Sequence, residues 1–498
     1  MGKGARSSKK RAEQFREQQR ETASKQAGQK KTKLIAIIVT AVLLCALAAL
    51  TVRAFVRDTR STNGYYMRNA VVMSNDKVSV NAAEMSYFIY NQVNNFISNY
   101  YSLYNAYYTS LYTSFSGFLK TYTGIDTSVS LKEQYYGSTT WFDYFKSLAE
   151  SEVAKYIALY SKAVDSGMSL TDDDIAGIEM RASYIDLTAY GSGINRTDVE
   201  NALTLKALAD LYKYSMLDDV EVSEDELNAY FDEKYKSYSF IDYISYTVSF
   251  GGENSTVEDK DQAKALADRL AAANDGERFK ELIVEIAGKK EAVDTAETTK
   301  ASYSESNAMK ALFDRTAKEF DTYTSENITD GSESGSYTVY MLLKTPYTDD
   351  EKTADIRHIL VANYESDEAG KAAAEDIYKQ LADAGFTEEA FDKLARRYSE
   401  DINSLANGGL YMRIHKGGDA AAAFDEWGFG TERSAGDCEV VKTGYGYHVM
   451  YFIGYDIGNS MAEAYTDLLN ERYSALAEKL VEEYPAVVNA EAYDTIKA

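Results

Sequence analysis

Two cysteines, two prolines and three histidines are all that 498 residues contain, and each shortage closes off a class of reading. Cys45 stands in an apolar run and Cys438 far downstream, so no disulfide is expected between them and stability has to come from packing. No His/Cys cluster has the spacing of metal ligands, and no Ser-His-Asp order or phosphate-cradling glycine loop occurs. Gly428, Gly430 and Gly436 are too loosely placed for a dinucleotide site, and no cofactor is expected. Long, strongly apolar runs are scarce as well. The one long enough to matter is Leu34 to Val52.

What the chain has in abundance is acid and tyrosine. Its net charge is −25, yet residues 1–33 carry eleven Lys or Arg against three Glu, a net of +8 that leaves −33 for the remainder. Such a polyanion argues against nucleic acid as a partner of the main body. Hydrophobic residues make up 45%, enough for real cores, and the length allows about three domains. Tyrosine occurs 42 times; it offers contact area at low entropic cost with a polar tip, which suits adaptable recognition.

As a helix rising about 1.5 Å per residue, Leu34 to Val52 just reaches across a bilayer core of about 30 Å. The basic flank precedes it, so the expectation is a membrane anchor with residues 1–33 in the cytoplasm and the bulk outside. The competing reading is a cleaved signal peptide, with Ala46-Leu47-Ala48 as the small-residue site.

Downstream, Ala70 to Met73 and Val78 to Val80 flank Ser74-Asn75-Asp76-Lys77 and read as a hairpin. Asn81 with Glu84 predicts a capped helix striped by Met85, Phe88, Ile89, Val93, Phe96 and Ile97, and further helices run to about residue 236, the last opened by Ser223 and Glu226. A final amphipathic helix carries Met461, Tyr465, Leu469, Tyr473, Leu476 and Leu480 and ends before Pro485.

The stretch from Ala354 to Tyr455 holds the chemistry. Arg357-His358-Ile359-Leu360-Val361 reads as a buried strand, and Gly446-Tyr447-His448-Val449-Met450-Tyr451-Phe452 as another, with His448, Met450 and Phe452 on one face. Between them lie a helix with Ala373, Ile377 and Leu381, ended by Gly385, and a second with Phe391, Leu394, Ala395 and Tyr398. The segments RHILV, FDKLARRYSEDINSLANGGL, FDEWGFG and GDCEVVKTGYGYHVMYF, in this order, resemble the parvulin family of peptidyl-prolyl isomerases. The resemblance implies catalytic roles for His358, Asp401, His448 and Thr443, and a proline pocket formed by Leu410, Phe424, Phe429 and Met450, with no metal. Two departures stand out: Ala420 replaces the family's pocket methionine, and the usual GGDLG reads Gly408-Gly409-Leu410-Tyr411-Met412.

From Phe240 to Tyr347 the same pattern recurs without a histidine: Tyr243 to Phe250 stands for the first strand, Asp259 to Ala273 and Glu277 to Ala287 for the helices, and Ser336 to Leu343 for the closing strand. Matching Asp242 to Asp355 and Ser336-Tyr337 to Gly446-Tyr447 puts Ser245 and Thr338 at the histidine positions, so this copy is expected to fold alike and not to isomerise. The linker Lys344 to Asp350, with Pro346, is expected to separate the copies.

The expected organisation is α+β: a basic cytoplasmic tail (1–33), a transmembrane anchor (34–52), a tether (53–69), an α-helical chaperone-like domain similar to that of PrsA-type and SurA-type foldases (70–239), a degenerate parvulin-like domain (240–347), a parvulin isomerase domain (348–456), and a C-terminal helix packing on the helical domain (457–498). The resemblance implies an isomerase and chaperone whose partners are unfolded or partly folded secreted polypeptides with X-Pro bonds, held at the membrane by its N-terminal helix. Two other readings stand beside it, a holdase with a vestigial isomerase domain and an envelope scaffold. With Glu365, Asp367 and Glu368 but no Arg or Lys in Ala362 to Glu368, phosphate-independent specificity is expected.

Overall fold

A computed structural model describes residues 64–496, apart from 221, 253–254, 296, 306–308, 330–331 and 418–421. The anchor expected at Leu34 to Val52, Cys45 and Ala420 lie outside the described residues. Among the described residues no helix is long and apolar enough to cross a membrane. The chain folds as two compact units. Among the described residues the first draws on 64–216, Lys393–Asn407 and 475–496, the second on Leu217–Asp392 and Gly408–Ser474.

The first unit is built on helices α1 (Ala82–Leu103), α2 (Trp141–Asp165), α3 (Asp172–Tyr184) and α4 (Arg196–Asp218). Helix α1 starts where the side chain of Asn81 accepts the backbone N–H groups of Ala83 and Glu84, while Glu84 accepts that of Asn81, so three donors at the helix start are satisfied. Its Met85, Phe88, Ile89 and Val93 are buried with Trp141, Phe145, Val153 and Ile157 of α2 in one core. Each large side chain so buried contributes about 1.5–3 kcal/mol. The chain's end joins the same core: Val487–Val488 pairs antiparallel with Val71–Ser74, itself paired with Ser79–Asn81, and Tyr493 and Ile496 fill in beside them. Leu480 packs with Ala158, Leu159 and Ala209.

The second unit contains two four-stranded antiparallel sheets. The first is formed by β1 (Ser239–Phe250), β2 (Thr299–Ser302), β3 (Thr322–Ile328) and β4 (Gly335–Thr348), in the order β2-β1-β4-β3. One face of it, with Ile244, Val248, Tyr337, Val339 and Met341, is buried with Ala263, Ala267 and Leu270 of α5 (Lys260–Ala271) and Phe279, Leu282 and Ile283 of α6 (Gly276–Ala287). The second sheet consists of β5 (Lys352–Val361), β6 (Leu410–Ile414), β7 (Cys438–Thr443) and β8 (Gly446–Gly458), in the order β6-β5-β8-β7. Helices α7 (Asp367–Asp383), α8 (Glu388–Tyr398) and α9 (Ala422–Phe429) lie between its strands in sequence, and α10 (Asn459–Glu483) follows it. Tyr243 to Phe250 and Ser336 to Leu343 are thus neighbours in one sheet.

Two local expectations fail. The stretch Lys344 to Asp350 is mostly strand, because β4 runs on to Thr348 with Lys344 opposite Asp242 and Tyr347 opposite Phe240. Pro346 fits there because the register slips between Phe240 and Asp242, so no ladder donor is required of it. On α7 the buried stripe runs through Gly370, Ala374, Ile377 and Leu381, and Ala373 points to solvent; a four-residue step back from Ile377 lands one position off the face that the packing selects.

Candidate active site

The site starts from the alternation of β5 and β8. The register sets His358 opposite Met450, Leu360 opposite His448 and Ile356 opposite Phe452, so both histidines share a face with an apolar floor. That face is dry: Ala354, Ile356, Ile414, Phe424, Trp427, Met450 and Phe452 form one buried cluster, and each histidine is 3% exposed.

Edge strand β6 closes one side. Gly408 and Gly409, both at positive φ (69° and 78°), make the tight turn into it, and a Cβ on Gly408 would overlap Asp392. The carbonyl of Gly409 accepts the N–H of His358 at 2.8 Å. Beyond Tyr411 the register slips, and Arg413 sits in left-handed backbone (φ 54°), held by its N–H on Asp355 Oδ1 at 2.7 Å and by its guanidinium against Asp456 at 3.1 Å. The bulge leaves Tyr411 opposite Ile356 and Ile414 opposite Ala354, so both face the histidines' side despite an odd separation. Burial raises the pKa of the Asp355 carboxyl.

The imidazoles stack, with centroids 5.3 Å apart and planes at 21°, and His358 Nδ1 lies 3.0 Å from His448 Nδ1. One nitrogen must carry the hydrogen that the other accepts, so the two rings take complementary tautomers. His448 Nε2 is 2.9 Å from Thr443 Oγ1, which also accepts the N–H of Tyr445 at 3.0 Å. A hydroxyl both donates and accepts, so the chain Thr443–His448–His358 is satisfied in either proton sense. Phe424 lies edge-on to both imidazoles, 5.2 Å from each, and Tyr411 lies 5.1 Å from His358 and 6.3 Å from Phe424.

His358, His448, Thr443, Phe424 and Met450 are therefore brought together, and Leu410 is not. Leu410 pairs with Arg357, so strand alternation turns it to the face opposite the histidines; Tyr411 stands where Leu410 was expected. That exchange was legible in the sequence, because in Gly408-Gly409-Leu410-Tyr411-Met412 the fourth position, where the family's leucine stands, is Tyr411. Phe429 packs against the apolar cluster of the floor, 6.3 Å from Tyr455, while Phe424 and Tyr411 supply the rings beside the imidazoles. The Asp401 carboxylate accepts Ser404 Oγ at 2.5 Å and the N–H of Asn403 at 3.2 Å. The third histidine, His415, is also in this stretch, on the loop after β6 with Nδ1 3.3 Å from the carbonyl of Lys416. Trp427 was missed as well. It is pinned by Nε1–H donation to Glu439 at 2.9 Å and by Arg433 stacked 4.0 Å from its ring, which fixes α9 over the floor.

Residues 358–454 match the family model for the rotamase domain described as the PPIC-type PPIASE domain. Foldase protein PrsA 1 of Lactobacillus johnsonii is 29% identical over 124 residues, 25% of this chain, and the chain spans 38% of that relative's length. PrsA from Bacillus subtilis, a solved structure, aligns at 18% identity over 61% of this chain and 94% of its own, with a TM-score of 0.20. A peptidylprolyl isomerase (PrsA) structure from Bacillus anthracis aligns at 14% identity over 56% and 94%, with a TM-score of 0.18. At those scores neither structure bears on the arrangement described above. Within a mixed α+β chain similar to the PrsA foldases, residues 358–454 are a parvulin-type rotamase domain of the PPIC type.

Proposed function

We propose that this protein is a peptidyl-prolyl cis-trans isomerase and folding chaperone for secreted polypeptides, working on the outer side of a membrane to which its N-terminal segment anchors it. The observation that carries the isomerase reading is the buried Thr443–His448–His358 chain beneath the ring of Phe424. Rotation about an X-Pro bond meets a barrier of about 18–20 kcal/mol from lost amide resonance. A protein lowers it by binding the twisted amide better than either planar form, which needs an apolar grip on the proline ring and fixed hydrogen-bonding groups beside it. Phe424, Met450 and Tyr411 supply the grip. The paired imidazoles supply polar groups whose orientation is set by one another and by Thr443, so little reorganisation is required in the transition state. No nucleophile takes part.

The chaperone part is supported by the first unit. From Met85 to Leu119 there is no charged residue in a chain of net charge −25. Tyr107 and Leu111 within that stretch, and Tyr135 after it, are each at least 70% exposed. Neutral, ring-bearing surface of this kind suits unfolded segments of many sequences. Anchoring is supported by the uncharged run Leu34 to Val52 behind a basic flank. A tetrapeptide isomerisation assay tests the catalytic reading, and absence of turnover by the intact chain would leave a holdase. Recovery of mature protein beginning near Ala49 would sink the uncleaved anchor. A strong preference for phosphoserine before proline would contradict a pocket without a cationic loop.

A further inference from the structure

The second unit uses one design twice, and only one copy carries imidazoles. Both sheets have the same strand order, and their registers coincide. In β5 and β8, His358 faces Met450 and Leu360 faces His448; in β1 and β4, Ser245 faces Tyr340 and Thr247 faces Thr338. Ser245 and Thr338 thus hold the diagonal positions of the two histidines, Tyr340 that of Met450 and Tyr243 that of Ile356. Thr338, at the position of His448, instead meets its direct cross-strand neighbour Thr247, at the position of Leu360, with hydroxyls 2.9 Å apart.

The face has also changed character. Ile241 and Leu342 are buried with Met309, Leu312 and Phe313 at one end, much as α9 covers the floor of the second copy. Toward the histidine positions, Tyr243, Tyr323, Tyr340, Ser245 and Thr338 are half-buried and Thr247 is exposed, and none of them carries a charge. Tyr243 and Tyr340 are packed at 5.7 Å, and Tyr323 pairs with Tyr340 across β3 and β4. A hydrated face with hydroxyls cannot desolvate a twisted amide, but it can grip a ring. Proline-rich segments in the polyproline II form present regularly spaced rings at a low ordering cost and dock on aromatic-lined grooves.

We propose that residues 239–348 are a non-catalytic binding domain for extended, proline-containing polypeptide, which lies across the rings of Tyr243, Tyr340 and Tyr323 without being isomerised. The proposal rests on the reading that 358–454 turns X-Pro bonds, since the common register is what assigns the same ligand class to both copies. It gives the chain two prolyl sites, one that holds and one that turns.

The test uses the full chain, titrated calorimetrically with a proline-rich decapeptide and with the same peptide having alanine for each proline. Two decapeptides bound per chain are expected, falling to one in Tyr243→Ala/Tyr340→Ala, with affinity at the altered site reduced about tenfold. Turnover of a tetrapeptide should be unchanged in that variant. Thr247→Glu, at an exposed position where folding is not at risk, should lose the same site. Unaltered stoichiometry in both folded variants would make the domain a spacer and overturn the proposal, and so would equal binding of the alanine peptide. Residual isomerase turnover in His358→Ala/His448→Ala that is abolished by adding Tyr243→Ala/Tyr340→Ala would overturn its silence. If the wild-type chain binds two decapeptides and turns none, the isomerase reading of 358–454 falls while binding at 239–348 stands.

Discussion

His358 and His448 meet Nδ1 to Nδ1 at 3.0 Å on a buried sheet face, so the tautomer of each imidazole is set by the other. His358→Ala or His448→Ala removes the bond between two buried nitrogens, at about 1–3 kcal/mol of stability. Either change should lower kcat/KM on a tetrapeptide by about tenfold or more, a loss comparable to removing one preorganised donor. The double variant should lose little beyond the worse single, because the pair acts as a unit. A double-mutant cycle with additive losses would contradict this.

Thr443 holds His448 Nε2 at 2.9 Å and touches the reacting groups only through it. Thr443→Val should reduce kcat with little effect on KM, while Thr443→Ser, which keeps the hydroxyl, should restore turnover. Equal damage from both substitutions would point to lost packing instead.

Phe424 and Phe429 both belong to α9 and are indistinguishable as apolar rings in the sequence; in the folded chain only Phe424 lies edge-on to both imidazoles, and Phe429 lies toward Tyr455. Phe424→Ala should raise KM for proline substrates and cost about 3–5 kcal/mol on thermal unfolding. Phe429→Ala should change stability chiefly, with kcat/KM within about twofold of wild type, since the ring packs on the apolar floor without stacking on either imidazole. A KM that rises equally in both variants would return Phe429 to the proline pocket.

Arg181 is buried in the first unit and donates from Nη1 to the carbonyls of Arg396 and Ser399, 3.1 Å to each, capping the C-terminal end of α8. Gly177, one turn earlier on α3, permits that approach, because an added Cβ would overlap the carbonyl oxygen of Arg396. Gly to Ala inside a helix ordinarily stabilises by about 1 kcal/mol. Here Gly177→Ala should destabilise, as should Arg181→Ala by about 1–3 kcal/mol, the cost of leaving buried carbonyls unpaired. Denaturant midpoints decide it, and a raised midpoint for Gly177→Ala would refute the docking of α3 on this segment.

Burial pushes the Glu84 carboxyl up to about 7, against the opposing effect of the Asn81 N–H and Asn201 Nδ2 bonds. A carboxyl whose folded pKa lies above its unfolded value keeps its proton longer when folded, so stability falls as pH rises from about 4.5 to about 7. The Glu84→Gln variant removes that slope, and the difference between the two proteins should reach about 1–3 kcal/mol at pH 7. Parallel stability curves for wild type and variant across this window would refute it.

The strand pattern, the histidine pair and the repeated copy were readable because period-2 alternation and rare residue types survive without knowledge of neighbours. His358 and His448 declared themselves by being two of three histidines on two apolar strands, and Asn81 with Glu84 declared a helix start by local hydrogen bonding alone. Tertiary structure decided what depends on register and on distant partners. The bulge at Arg413 brought Ile414 onto the same face as Tyr411 despite an odd separation, which no composition of that loop prescribes. Pro346 reads as a linker by itself and becomes strand only because β1 slips its register opposite it. Trp427 is an ordinary apolar residue in the sequence, and it takes its place over the floor because Glu439 and Arg433 converge on it from β7 and the loop before it. Local chemistry fixes which residues can do something; the pairing of strands fixes which of them face one another.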